Sequence, residues 1–406
     1  MEQSKSWMDQ LKLRAGYGIL GNQEIDDYMY TSVITSNINY PDGNGGLISG
    51  AFPKDFANPA IKWEETEMTN IGVDMAFMNS RLMITGDWYR KNTKDILLTV
   101  PIPISTGGAN DPVRNAGKIK NTGVEWTVGW NDAPSKDYGI TWTGNAMKNE
   151  VVEMGDANQV IEGGKNRTNV ATTRTLAGYP IGGFWLIPTE GLFQNQAEID
   201  AYVKDGNLIQ PNAKPGDIRF KDSNGDGKIT DDDRVYCGSP FPTLTMGLNL
   251  NASYKGFDLL LGMQGVFGNK VYNGTRLELE GVNKGTNFLA STLDYWTPDN
   301  PGASHPRLVW DDPNQNTRPQ SDRFLENGSF FRLRNVQLGY TFPNRWFQNK
   351  IQKLRVYVNA ENLFTSTGYT GYTPDINNAD NATSRGFDNF VYPTNRVFML
   401  GLNLTF

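Results

Sequence analysis

The sharpest chemistry in the chain sits in its middle, where Asp222 to Asp233 reads D-S-N-G-D-G-K-I-T-D-D-D. Asp222, Asn224 and Asp226 supply oxygens at loop positions one, three and five, Gly227 stands at the sharp turn, and the Lys228 carbonyl follows, which is the calcium-loop pattern. Calcium takes about six to eight hard oxygens, and Asp233 at the twelfth position adds another, although it is shorter than the usual bidentate Glu. No strong helix pair flanks the loop, so the expected ion is a structural Ca2+ that clamps a long connection. The plainer reading is an Asp/Asn/Gly-rich turn that needs no metal. A second spacing, Gly16-Tyr17-Gly18-Ile19-Leu20-Gly21, matches GxGxxG in form. Nucleotide binding needs a helix directly after the glycines, so that backbone N–H groups meet the phosphates. Asn22 to Tyr28 has no apolar helical period, and the match is set aside.

Other candidates are weaker. Glu64, Glu65, Asp111, Asp217, Asp311 and Asp312 are carboxylates in connecting segments, and glycoside cleavage needs two of them at a fixed separation that spacing alone does not show. Trp63, Trp185, Trp296, Trp310 and Tyr372, with Tyr295 beside them, are ring faces suited to stacking on a sugar or a peptide, or to packing a loop. The chain holds one histidine, His305, and one cysteine, Cys237, which argues against histidine catalysis, a His-rich metal site or an internal disulfide framework. A net charge of -6 argues against a nucleic-acid surface.

The elements that must position these groups are strands. Val124, Trp126, Val128 and Trp130 alternate with Glu125, Thr127 and Gly129, a period of two that reads as strand rather than helix. Thr243 to Tyr254, Phe257 to Phe267 and Arg396 to Phe406 repeat it, and weaker alternation runs through Leu11–Gly18, Glu65–Met78, Arg81–Arg90, Tyr138–Asn149, Phe330–Phe342 and Lys353–Asn362. About ten strands result. In Phe330–Phe342 neither face is uniformly apolar, so its facing switches along its length. One helix is expected, Asn195 to Gly206, with Asn195 as N-cap and Gly206 as stop.

Connections alternate between long and short. The short ones are Asn79–Ser80, Asn131–Asp137, Lys255–Gly256 and Pro343–Gln352; the long ones lie near 19–64, 91–117, 150–242, 268–329 and 363–395. In an up-and-down meander all short turns then share one rim and all long loops the other, as in an outer-membrane barrel with periplasmic turns and external loops. No apolar run is long enough for a membrane helix, which leaves a strand-built membrane protein open. Aromatic residues reach 12% and gather at strand ends, at Trp88, Tyr89, Trp130, Trp142, Tyr254, Phe257, Phe267, Phe342 and Phe406, where they suit interfacial girdles. The fold class is therefore all-β, an antiparallel up-and-down transmembrane β-barrel whose outer face meets outer-membrane lipid. A soluble sandwich or propeller is the competing architecture.

Ordered motifs along the whole chain sharpen this. Leu11 to Gln23, Asn58-Pro59 with Trp63-Glu64, Asn70 to Asp74, Asn115 to Glu125, Pro215 to Ile218 leading into the Asp222 loop, Trp296 to Pro301, Gly328 to Asn335, Asn359 to Phe364 and the terminal Phe406 together resemble the barrel of SusC/RagA-type TonB-dependent outer-membrane transporters. The resemblance implies that residues 1–406 are the C-terminal portion of a barrel of about 22 strands, with signal peptide, TonB box and plug outside this chain. It implies a Gram-negative outer-membrane location and active import, not enzymatic turnover. It also implies a SusD-like surface lipoprotein as lid, the TonB complex acting through the N-terminal region outside this chain, and an oligosaccharide ligand, with peptide as the alternative. Two open edges would keep ten strands from closing alone. A surface protein that binds or cleaves glycans is the reading from a different class.

Overall fold

Alternating apolar and polar side chains suit a sheet that meets two different media, and ten long strands carry that pattern in the computed structural model. The described residues are 7–22, 30–32, 34–53, 57–99, 112–115, 117–132, 137–155, 160–165, 169–282, 285–347, 350–376 and 382–406. The strands are β1 (Met8–Asn22), β2 (Glu64–Phe77), β3 (Leu82–Lys94), β4 (Lys118–Asn131), β5 (Tyr138–Glu153), β6 (Leu244–Tyr254), β7 (Phe257–Phe267), β8 (Phe330–Phe342), β9 (Lys353–Thr367) and β10 (Val397–Thr405). Each pairs antiparallel with its predecessor in a single meander from β1 to β10. Among the described residues, β1 and β10 are the two edges of this sheet.

Register fixes the two faces. Ala15, Ile71, Trp88, Val124 and Ala146 lie opposite one another on successive strands, and on the other face Arg14, Gly72, Asp87, Glu125 and Asn145 do the same. On β10 Phe398, Leu400, Leu402 and Leu404 all point outward and are exposed. An exposed row of this kind suits hydrocarbon.

Short turns close one end. Tyr254 and Phe257 pair across Lys255–Gly256, whose φ values of 46° and 90° give the double left-handed turn that matches strand twist, which glycine adopts without penalty. The β2–β3 turn is longer than the expected Asn79–Ser80, because Met78, Asn79 and Ser80 all have positive φ and the strands stop at Phe77 and Leu82. The turns expected at Asn131–Asp137 and Pro343–Gln352 lie partly outside the described residues.

The facing switch in β8 has a specific cause. Gly262 pairs with Asn335 but Met263 pairs with Leu333, so Arg334 is an extra residue on β8. The bulge turns Arg334 and Asn335 to the same side, which broke the alternation in the sequence.

Long connections gather at the opposite end and fold there. Strands Ile161–Lys165, Ala171–Thr175, Gly183–Leu186 and Val235–Gly238 form a four-stranded sheet, while Lys270–Asn273 pairs antiparallel with Leu325–Asn327 and parallel with Phe387–Asp388. The first connection holds a hairpin, Ile34–Pro41 with Leu47–Pro53, that period-two reading missed. One core contains Phe184, Leu186, Tyr272, Leu277, Phe324 and Phe387, drawn from three separate loops. Tyr272 stacks on Phe387 at 5.1 Å and its hydroxyl donates to the Pro319 carbonyl at 2.6 Å. The helix is shorter than expected: α1 spans Gln196–Ala201, with Asn195 accepting from the Glu198 amide at 3.0 Å. After it, Val203–Lys204 and Asn207–Leu208 pair across Asp205–Gly206, so the Asp-Gly step makes a hairpin turn and not a helix stop.

Candidate ligand groove

The wet face of β4 to β9 bounds a cavity of about 1030 Å³. Its lining includes Glu125, Thr127, Thr143, Asn145, Asn249 and Gln264 from the alternating strands. Arg332, Arg334, Asn335, Glu361 and Asn362 come from β8 and β9, and Asp375 and Thr394 reach in from the last loop. Side chains at these positions face inward because their neighbours face lipid, so binding chemistry and membrane anchoring come from one periodicity.

The polar groups are partly tied to one another. Asn145 Nδ2 donates to Glu125 Oε1 at 2.7 Å. Arg332, buried, donates through Nε to Thr365 Oγ1 at 3.1 Å and through Nη1 to Asp375 Oδ2 at 3.2 Å. Along the same face Arg14 grips two carboxylates, with Nη1 2.8 Å from Asp87 Oδ1 and Nε 2.9 Å from Asp74 Oδ2. Asn335 Oδ1 and Asn359 Oδ1 are buried without a hydrogen-bond partner among the described residues. A buried amide oxygen left so is expensive, and Asn335, which lines the groove, is an acceptor available to a ligand.

None of the five aromatic candidates lines this groove. Trp63 is exposed and lies with Ile19, Gly21 and Glu65, on the outward side of β1. Trp185 packs between Tyr179 and Tyr236 at 4.9 and 6.0 Å. Trp296 is buried, donates through Nε1 to Gln194 Oε1 at 3.1 Å, and covers Gly216 so closely that a Cβ there would stand 2.3 Å from the ring. Trp185 and Trp296 thus pack the loops. Trp310 and Tyr372 are exposed on loops. Sequence reasoning missed the groove because it looked for rings in loops, whereas the usable signal was the polar half of the strand alternation.

Three of the carboxylates singled out in the sequence, Asp217, Asp312 and Glu64, hold structure. Asp217 is fully buried and held by Arg307, Nε to Oδ1 2.7 Å and Nη2 to Oδ2 2.9 Å, while Asn316 Nδ2 donates at 2.8 Å. Asp312 accepts from the amides of Asn316 and Thr317 at 2.7 and 3.0 Å. Glu64 accepts from the Leu97 amide at 2.9 Å. Glu65 lies beside Trp63, and Asp111 falls outside the described residues. Gly16, Gly18 and Gly21 lie inside β1, in extended backbone with no helix to follow.

The calcium-type loop is shaped by its own amides. Asp222 accepts from Gly225 and Gly227 at 2.7 and 2.9 Å, Asn224 Oδ1 from Asp226 at 2.9 Å, and Asp226 Oδ1 from Lys228 at 2.9 Å. Asp233 is buried, accepts from Ser223 and Thr230 at 2.8 and 2.7 Å, and completes a capping box with Thr230 over Asp231–Asp233. That capping role accounts for a short Asp at the twelfth position. Among the described residues, no three Asp, Glu, His or Cys side chains converge as a metal-binding group.

A second charged cluster lies in the loop layer, on α2 (Gly274–Glu280). Glu280 is buried beside Arg276, Arg323 and His305, with Arg323 Nη2 2.8 Å and His305 Nε2 3.1 Å away. Burial pushes its carboxyl up, but His305, Arg323 and Arg276 outweigh this and hold it at about 2.

A meander of ten membrane-length strands, apolar outside and polar inside with every long loop at one rim, defines the wall of an outer-membrane β-barrel. Residues 6–363 match the family model described as TonB dependent receptor-like, beta-barrel, and the chain belongs to that family. It is 30% identical over 407 residues to TonB-dependent receptor P3 of Formosa agariphila, covering 97% of this chain and 39% of that protein. It is likewise 30% identical over 414 residues to TonB-dependent receptor SusC of Bacteroides thetaiotaomicron, covering 98% of this chain and 38% of that one. Among solved structures it is similar to the RagAB peptide transporter, with TM-score 0.77, 27% identity, and 99% and 41% of the two chains covered. The chain spans about two-fifths of the length of the curated relatives it matches. These relatives are receptors, not hydrolases, and the expected SusC/RagA type and outer-membrane location stand.

Proposed function

We propose that the chain is barrel wall and external loop layer of an importer that takes up oligosaccharide, powered by the TonB complex through a region outside this chain and lidded by a SusD-like lipoprotein seated on the loops. The observation that carries the reading is the groove lining: Thr127, Thr143, Asn145, Asn249, Gln264 and Asn335 offer amides and hydroxyls matched to sugar hydroxyls. Likeness to SusC supports it. Peptide is the second reading, favoured by likeness to the RagAB peptide transporter and by Arg334 and Glu361, which could meet peptide termini. Calorimetry on the whole receptor with its lipoprotein decides: neutral oligosaccharide should bind and Asn145→Ala with Asn249→Ala should weaken it. Binding of peptides alone would overturn the sugar reading.

Within the loop layer, we also propose a structural Ca2+ whose binding would draw Asp222, Asn224, Asp226, the Lys228 carbonyl and Asp233 together, away from the loop amides that Asp222 and Asp233 serve in this structure. Calcium should raise the melting temperature of the whole receptor by a few degrees and chelator should reverse it. A melting temperature indifferent to both, in wild type and in Asp222→Ala alike, would overturn the assignment.

A further inference from the structure

One turn of the sheet carries charge opposite to the chain as a whole. Against a net charge of -6, the run from Tyr340 to Tyr357 holds Arg345, Lys350, Lys353 and Arg355 and no acidic residue. Arg355 is committed to Asp258, Nε to Oδ1 2.8 Å. Arg345 and Lys350 have no carboxylate partner among the described residues. The neighbouring turn adds Lys255, and the two turns adjoin because the Thr341 amide donates to the Gly256 carbonyl at 2.7 Å.

Beside these cations runs a ladder of rings on the outward face. Phe257 meets Tyr340 at 4.6 Å, Tyr340 meets Phe342 at 4.9 Å, and Phe342 meets Trp346 at 5.9 Å. Trp346 ends the ladder exposed, on a single turn at Asn344–Phe347, and Lys255 Nζ lies 5.1 Å over the Tyr254 ring. Rings at headgroup depth with long cationic side chains beyond them suit a lipid whose phosphate is negative and whose glycerol and upper chains are apolar. A soluble anion would use the cations and leave the exposed rings without a role.

We propose that Lys255, Arg345 and Lys350, with Trp346 and Phe342, form a docking site for an anionic glycerophospholipid of the inner leaflet of the outer membrane. The three cations take the phosphate and headgroup, and the two rings pack the glycerol and upper acyl carbons. The proposal rests on the barrel reading above, which places the turn end at that leaflet. The test is native mass spectrometry of the whole receptor titrated with phosphatidylglycerol or phosphatidylcholine of equal chain length, beside gel migration before and after heating from phosphatidylcholine liposomes. Wild type should retain phosphatidylglycerol preferentially, and Lys255→Gln/Arg345→Gln/Lys350→Gln should lose about fivefold in affinity per charge removed. Trp346→Ala should weaken both lipids alike. Equal retention of the two lipids, unchanged selectivity in the triple variant, or displacement by millimolar inorganic phosphate would overturn the site. A receptor that inserts yet ignores headgroup charge sinks this site alone, whereas failure to insert removes the barrel reading and the site with it.

Discussion

The ten-stranded wall and the loop layer above it are made from the same kinds of residue, sorted in opposite ways. In the wall, Phe398, Leu400 and Leu402 are exposed while Arg14, Asp74 and Asp87 meet on the inner face. In the loop layer Phe184, Tyr272 and Phe324 are fully buried, as in a water-soluble domain. Among the large, fully buried side chains of the described residues, only Val151 belongs to a wall strand. The difference teaches where each region finds stability: the wall from its ladder of hydrogen bonds and from lipid, the loop layer from a core sewn from three loops.

Substitutions should therefore act in opposite senses in the two regions. The largest effect is expected in the loop core, where Phe184→Ala should cost about 3–5 kcal/mol. Hydrogen exchange on the whole receptor should show loss of protection across all three loops while the wall strands keep theirs; loss confined to one loop would break the idea of a shared core. Next, Leu248→Arg on the outward face of β6 should cost about 2–4 kcal/mol of insertion, and its neighbour Asn249→Arg, on the inner face, much less. Urea titration of the liposome-inserted receptor reads both, and equal costs would contradict the assigned facing.

A pH response should separate the regions further. Glu280 sits at about 2 against an ordinary 4.5, so its contribution is full above pH 4.5 and is lost as pH falls toward 2. Acidification through that window should loosen the loops around α2, followed as protease sensitivity, and Glu280→Gln should flatten the response. The smallest effect is expected at the edge of the loop layer, where Asn195→Ala removes the cap of α1 for about 1 kcal/mol. A melting curve unchanged within error in that variant would show that α1 is held by Ile199 and its packing instead.

The wall was legible because its signal is local. Alternation in Val124–Trp130 or Thr243–Tyr254 states which side chains share a face, and a two-residue turn such as Lys255–Gly256 states that neighbouring strands pair. Arg334 resisted because one inserted residue shifts every facing after it, and the sequence shows only a broken pattern. The loops resisted for a different reason. Whether Trp296 stacks on a ligand or on Gly216, and whether Asp217 is a reactive carboxylate or a partner of Arg307, depends on residues distant in the chain.

The ten wall strands, their meander order and the sidedness of turns and loops were determined by the sequence alone, since all follow from periods and spacings a few residues long. Tertiary structure decided what the polar faces and loops do. It gathered Glu125, Asn145, Arg332 and Glu361 into one groove, joined Phe184 to Tyr272 and Phe387, and gave Asp222 and Asp233 to the amides of their own loop. The physical reason is that facing is set by neighbouring residues, whereas a partner is set by whichever segment the whole fold brings within reach.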